Sequence, residues 1–184
     1  MPRNIEIKAR IDSIEAVLPR AQAIAHTEPE LIVQDDTFFK VPQGRLKLRE
    51  FADGSAELIH YHRPDHGGAR ASDYVCVRVS DVAALREALA RACGIAGRVR
   101  KQRWLLLDGA TRIHIDRVEG LGDFIELEVV LAPGQSDADG AAVAEALMQT
   151  LGLAGAARVA VAYLDLWAAR KSGSDPPMSG CRRN

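Results

Sequence analysis

The chain has 184 residues, 47% hydrophobic and 27% charged, with a net charge of −1; this suits one globular domain and excludes a global electrostatic pull toward nucleic acid or an acidic membrane. Cys76, Cys93 and Cys181 are too few and too scattered for a disulfide framework or a zinc site. No apolar run approaches the ~20 residues of a membrane span, and the opening Met-Pro-Arg-Asn has no apolar secretory core, so a cytoplasmic protein with free thiols is expected.

Residues 4–11 alternate strictly, with Asn4, Glu6, Lys8 and Arg10 opposite Ile5, Ile7, Ala9 and Ile11. That period of two predicts a strand. Asp12 or Ser13 can cap the helix that follows, with Ala16, Val17, Ala21 and Ile24 at helical spacing. Residues 31–40, rich in Val33, Thr37, Phe38 and Phe39, read as a strand ending at the turn Pro42-Gln43-Gly44. Residues 45–51 alternate again, Arg45, Lys47 and Arg49 against Leu46 and Leu48, and Asp53-Gly54 turns into a strand over 56–63. Pro64 to Ala71, with Arg70, reads as a loop before a strand over 73–79.

Ser80 or Asp81 caps a helix over 82–93 with Val82, Leu85, Ala88 and Leu89 as its apolar stripe, ended by Gly94 and Gly97. A long strand over 98–108 turns at Asp108-Gly109 into 111–118, and Gly120 to Gly122 turns into 123–131. Ser136 or Asp137 caps a helix over 139–151. A last amphipathic helix passes through Val161, Leu164, Leu166 and Trp167. The domain is expected over 1–171. From Ser172 the chain is Gly-, Ser-, Pro- and Arg-rich without periodicity, which reads as a disordered tail over 172–184.

Eight strands joined mostly by hairpins, with three or four helices, define an α+β domain. Several strands carry charge on one face and aliphatics on the other, and a sandwich core would not tolerate the charged face. A closed eight-stranded antiparallel β-barrel with peripheral helices resolves this, because the aliphatic faces pack outward against helices and the charged faces line a wet interior. The charged faces collect Lys8, Arg10, Lys47, Arg49, Arg63, Lys101, Arg103 and Arg112 with Glu6, Asp116, Glu126 and Glu128. Glu126 and Glu128 sit on one face about 7 Å apart and repel unless solvent or a cation compensates them. Arginine forks and lysine ammoniums suit phosphate oxygens, and clustered carboxylates suit Mg2+ or Mn2+ shared with phosphates. An RNA-binding sheet would need exposed aromatics among the basic residues, and these faces offer only Tyr61 and Phe124.

Six segments in order then resemble one family: Ile5-Glu6-Ile7-Lys8, Gln34-Asp35-Asp36-Thr37-Phe38-Phe39, Leu46-Lys47-Leu48-Arg49, Ile59-His60-Tyr61-His62-Arg63-Pro64, Val99-Arg100-Lys101-Gln102-Arg103 and the stretch His114 to Glu128. The chain is similar over residues 3–167 to the CYTH superfamily of triphosphate tunnel metalloenzymes, which includes class IV adenylate cyclases and thiamine triphosphatases. The resemblance implies a closed antiparallel barrel whose tunnel binds a triphosphate. It makes Glu126 and Glu128 metal ligands, with Glu6 and Asp116 completing the site. It gives Lys8, Lys47, Arg49, Arg63, Lys101 and Arg103 to the triphosphate, and lets His114 hydrogen-bond nearby.

Two positions depart from the family pattern. Asn4 replaces the first glutamate of E-x-E-x-K, and Phe38 stands where members often carry tyrosine. The expected activity is adenylate cyclase-like, ATP giving cAMP and pyrophosphate with Mg2+ or Mn2+. Hydrolysis of an organic or inorganic triphosphate is the alternative, and a non-catalytic phosphate-binding module the second. The expected partner is a nucleoside or other triphosphate, with no nucleic acid and no membrane. The protein is expected as a monomer or homodimer.

Overall fold

Local chemistry sets the ends of most elements. Ser13 accepts a hydrogen bond from the Ala16 amide and starts α1 (Ile14–Ile24). Asp81 does the same for Ala84 at the head of α2 (Val82–Cys93). Ser136 forms a reciprocal cap with Asp139 at the head of α3 (Asp137–Thr150). These caps satisfy amides that the first helical turn leaves without partners. The hairpin after Phe51 turns at Gly54, whose φ of +82° favours a residue without a Cβ.

The computed structural model describes residues 4–62 and 73–173. Between the helices, which end with α4 (Tyr163–Ser172), run β1 (Asn4–Ile11), β2 (Glu30–Phe39), β3 (Arg45–Phe51), β4 (Ala56–His62), β5 (Asp73–Val79), β6 (Ile95–Asp108), β7 (Thr111–Val118) and β8 (Gly122–Val130). All eight strands pair antiparallel in the order β1-β8-β7-β6-β2-β3-β4-β5. Arg63 and Arg70, the loop read over 64–71 and the tail beyond Gly173 lie outside the described residues.

The α+β class and the eight antiparallel strands agree with the sequence reading. Closure differs: β1 and β5 are the two ends of the hydrogen-bonded order, and no pair joins them among the described residues. The free edge of β1 is taken by the segment before α4. Arg10 donates its amide to the Ala157 carbonyl, and the Val159 amide donates to Lys8. Backbone groups that a closing strand would have used therefore have other partners. The sheet still curls, since side chains from β1, β2, β3, β4, β5, β6 and β8 line one cavity.

The aliphatic faces pack outward, as the barrel reading expects. Ala9, Ile11, Leu106, Ile113, Ile115, Ile125 and Leu127 are buried with Ile14, Val17 and Ala21 of α1 and Met148 of α3. α2 covers Phe39, Leu48 and Ala56 in the same way. The inner face is not charged throughout. At one end Phe38, Val99 and Phe124 turn inward against Tyr163 and Leu166 of α4.

Gly97, read from sequence as punctuation after α2, is inside β6 instead. A Cβ there would stand 2.6 Å from Leu164 Cδ1. The glycine thus allows close approach of α4 rather than ending a helix. No helix among the described residues is long and apolar enough to cross a membrane.

Candidate active site: a cavity with paired charges

A cavity of about 270 Å3 opens on the inner face of the sheet. Lys8, Lys47, Arg49, Lys101 and Arg103 line it together with Glu6, Asp36, Glu126 and Glu128. Strand register places these groups. Lys8 of β1 stands opposite Glu126 of β8, and Glu6 opposite Glu128. The Lys8 ammonium lies 3.6 Å from Glu6 and 3.6 Å from Glu126. Burial pushes the Glu126 carboxyl up, but the charges of Lys8 and Arg103 outweigh it and hold the group well below the usual carboxylate range. Glu128 accepts from the Asn4 amide nitrogen and, at 3.0 Å, from Arg112.

Across the cavity, Asp36 of β2 stands opposite Arg49 of β3. It accepts two bonds from Arg49, at 2.8 and 2.9 Å, and one from Lys47 at 2.8 Å. Burial raises its carboxyl, and the Lys47 and Arg49 charges overcome that effect and lower it. Burial lowers the Lys47 ammonium to about 8, against the opposing pull of Asp36. Burial and the neighbouring Arg103 charge lower Lys101 to about 7, with Asp116 opposing.

Asp116 is fully buried under this cation group. Arg103 forks onto both of its oxygens at 2.6 Å, Lys101 lies 3.3 Å away, and the Tyr163 hydroxyl donates to it at 2.9 Å. Three of these donors end on Oδ2 and one on Oδ1. Asp116 is expected from the sequence to complete a metal site; the structure shows it as the buried counter-ion of Arg103 and Lys101. The Tyr163 ring also lies beneath two ammoniums, Lys8 at 4.8 Å and Lys101 at 5.2 Å from its centroid.

Two further basic residues do not join the group. Arg10 packs over the Phe124 ring at 4.7 Å and donates to the Leu121 carbonyl, near the end that α4 covers. Arg112 is half exposed and reaches the site only through Glu128. His114 faces inward but burial and the Arg103 charge lower it to about 3, so it is neutral, and its Nδ1 has no hydrogen-bond partner among the described residues. Asp36 and Tyr163 were not singled out from sequence. Asp36 was readable: alternation through Gln34, Asp36 and Phe38 puts one acid of the Asp35-Asp36 pair inside. Tyr163 left no such signal, because it comes from a helix end distant in the chain.

The donor set fits a hard divalent cation, being three carboxylates on neighbouring strands, with Glu126 held ionised. Among the described residues no three acidic, histidine or cysteine side chains stand in metal-holding geometry. Lys8 lies between Glu6 and Glu126 instead.

The chain belongs to the CYTH family, whose domain profile matches residues 2–163. Comparison with curated proteins finds no match. Several solved structures share the fold. A protein of Pyrococcus horikoshii aligns with a TM-score of 0.78 at 22% identity, covering 89% of this chain and 98% of its own. A candidate adenylate cyclase of Vibrio parahaemolyticus aligns with a TM-score of 0.71 at 21% identity, covering 91% and 98%. A candidate adenylyl cyclase of Hippeastrum, described as having a dominant triphosphatase activity, aligns with a TM-score of 0.67 at 15% identity, covering 97% and 99%.

Proposed function

We propose that this protein is a metal-dependent enzyme that holds a triphosphate in the charged cavity and promotes attack at one of its phosphorus atoms. The observation that carries the proposal is the facing of two groups: Lys47, Arg49, Lys101 and Arg103, held by Asp36 and Asp116, opposite Glu6, Glu126 and Glu128. Holding the cations on buried acids fixes their directions before the ligand arrives, which is what stabilises charge developing on a leaving phosphate. Glu6, Glu126 and Glu128 would hold the cation. A divalent cation there neutralises phosphate charge and lowers the pKa of an attacking hydroxyl or water. Lys8, now shared by Glu6 and Glu126, would then be released toward phosphate oxygens.

Cyclisation of ATP to cAMP and pyrophosphate is the first reading of the reaction. It rests on the Arg3-Asn4-Ile5-Glu6-Ile7-Lys8 opening and on Phe38 in place of tyrosine. Hydrolysis is the second, and the triphosphatase activity in the Hippeastrum neighbour's description favours it. The protein acts in the cytoplasm as a monomer or homodimer under this proposal. Incubation with Mg2+ or Mn2+ and ATP, tripolyphosphate or thiamine triphosphate decides between the readings. cAMP with pyrophosphate marks the cyclase and inorganic phosphate the hydrolase. Binding without turnover marks the phosphate-binding module. No shift in melting temperature with any triphosphate sinks the proposal, since a ligand of the folded state must raise apparent stability.

The lysines make a pH prediction. Lys47 and Lys101 hold phosphate only when protonated, and in the free protein they titrate at about 8 and about 7. Their protons are in place below those values, so affinity is highest there. Above them, binding must draw protons back, at about tenfold in affinity per pH unit for each lysine. Calorimetry with ATP and Mg2+ from pH 7.5 to 9.5, in buffers of different ionisation enthalpy, should show weakening affinity and net proton uptake. Flat affinity with no proton uptake would remove these two lysines from phosphate binding.

A further inference from the structure

Among the described residues β5 has its outer edge open. It pairs with β4 along Asp73–Val79 without a break in register, and no strand pairs with its other side. β1, at the far end of the order, is engaged at Lys8 and Arg10 by residues 157–159 and is not free to take β5. Open edges in soluble proteins usually carry lysine, proline or a bulge that blocks pairing. β5 has none of these, and Arg78 is its one basic residue. Its outward face is apolar. Val75 is 63% and Val77 53% exposed. They point away from the cavity, because Tyr74 lines it and successive side chains alternate. Leu58 of β4 stands beside Val77, and α2 reaches this face only at Val79.

The strand is complementary to a second copy of itself. Residues directly opposite in an antiparallel pair share a face. Joining the two inner faces into one surface therefore sets even-numbered residues opposite even-numbered ones, and the twofold axis passes through a residue. An axis at Cys76 pairs the whole of β5. Val75 then meets Val77 twice on the outer face, continuing the apolar row that Leu58 begins. Tyr74 meets Arg78 twice on the inner face, a guanidinium beside a ring. No like charges stand opposite one another. An axis at Arg78 would set arginine against arginine.

We infer that two copies of this chain pair through β5, antiparallel and edge to edge, about a twofold axis at Cys76. The interface is isologous, as in most dimers of identical chains. It is short, so the dimer dissociates on dilution. It also touches the site. The second copy's Arg78 stands beside Tyr74, which lines the cavity, so each copy adds one cation to the other's opening.

Sedimentation equilibrium of the full chain, from low micromolar to near-millimolar, should show monomer and dimer in exchange. Val75→Lys with Val77→Lys sets lysine against lysine at both outer pairs and should raise the dissociation constant at least about tenfold. Val75→Glu with Val77→Lys sets opposite charges at the same pairs and should recover the dimer relative to the lysine variant. Both valines are exposed, so neither variant opens a cavity, and a melt of each checks the fold. Cys76 is exposed, and its two copies meet at the axis. With Cys93→Ala and Cys181→Ala in place, a short bismaleimide should join two chains through it. A monomer at every concentration overturns the inference. A dimer that the lysine variant leaves intact overturns it too, as does one that opposite charges fail to recover or that Cys76 fails to link. None of these results bears on the triphosphate reading.

Discussion

Asp116→Ala lowers the melting temperature of the protein by about 10 °C in buffer free of metal and ligand. Asp116 is fully buried, and three donors from β6 and α4 converge on it: Arg103, Lys101 and the Tyr163 hydroxyl. Removing it leaves Arg103 and Lys101 crowded together in a desolvated place. Breaking a buried pair from one side costs about 3–5 kcal/mol, because the remaining charge has no compensation. That is a large share of the ~5–15 kcal/mol by which domains are stable. Arg103 keeps a 3.5 Å approach to Glu126, which softens the loss. Asp116→Asn costs less, since an amide oxygen still accepts from Arg103.

The experiment separates two roles. A counter-ion fails without metal, whereas a metal ligand would cost metal affinity and leave the metal-free melt unchanged. The second outcome would restore Asp116 to the metal set. Acid should act in the same direction as the mutation. The Asp116 and Asp36 carboxyls are held below their ordinary value by neighbouring cations, so their contribution is complete above about pH 4 and is lost as pH falls below it.

Alternation explains why so much of the site was readable in the sequence. Side chains two apart share a face, so Lys8 travels with Glu6, Lys47 with Arg49, Lys101 with Arg103, and Glu126 with Glu128. All eight line the cavity. Alternation does not give height along a strand. Arg10 shares the face of Lys8 but reaches the end where Phe124 and Leu121 turn inward. Arg112 shares the face of Asp116 but ends near solvent. Nor does it give edge partners. The pairing of β1 with residues 157–159 depends on a chain return that no local pattern encodes. Tyr163 was hidden for a related reason. In a helix-starting segment it looks like one more apolar position, and only the docking of α4 brings its hydroxyl to Asp116.

The paired substitution Glu126→Gln with Glu128→Gln should reduce metal-dependent turnover by at least about a hundredfold and abolish measurable Mn2+ binding. Glutamine keeps the shape and a carbonyl acceptor but removes the charge a hard cation requires. The two positions are not equivalent. Glu126 faces Lys8 and Arg103 within the cavity, and their charges keep it ionised. Glu128 is already engaged by Asn4 and Arg112 near the outer end. Glu126→Gln alone should therefore carry most of the loss, with Glu128→Gln the milder single change. Asn4 fits the same order: it donates to Glu128 where a glutamate would have repelled it, so this chain holds its second carboxylate with a neutral partner. Titration of Mn2+ into the free protein reads the metal site without any substrate. The melt of each variant shows whether a loss is only unfolding, since Lys8 retains Glu6 as a partner. A folded double variant that still binds Mn2+ and still turns over a triphosphate would move the metal site away from β8. The carboxylates would then serve, as Asp36 and Asp116 do, only to hold the cations in place.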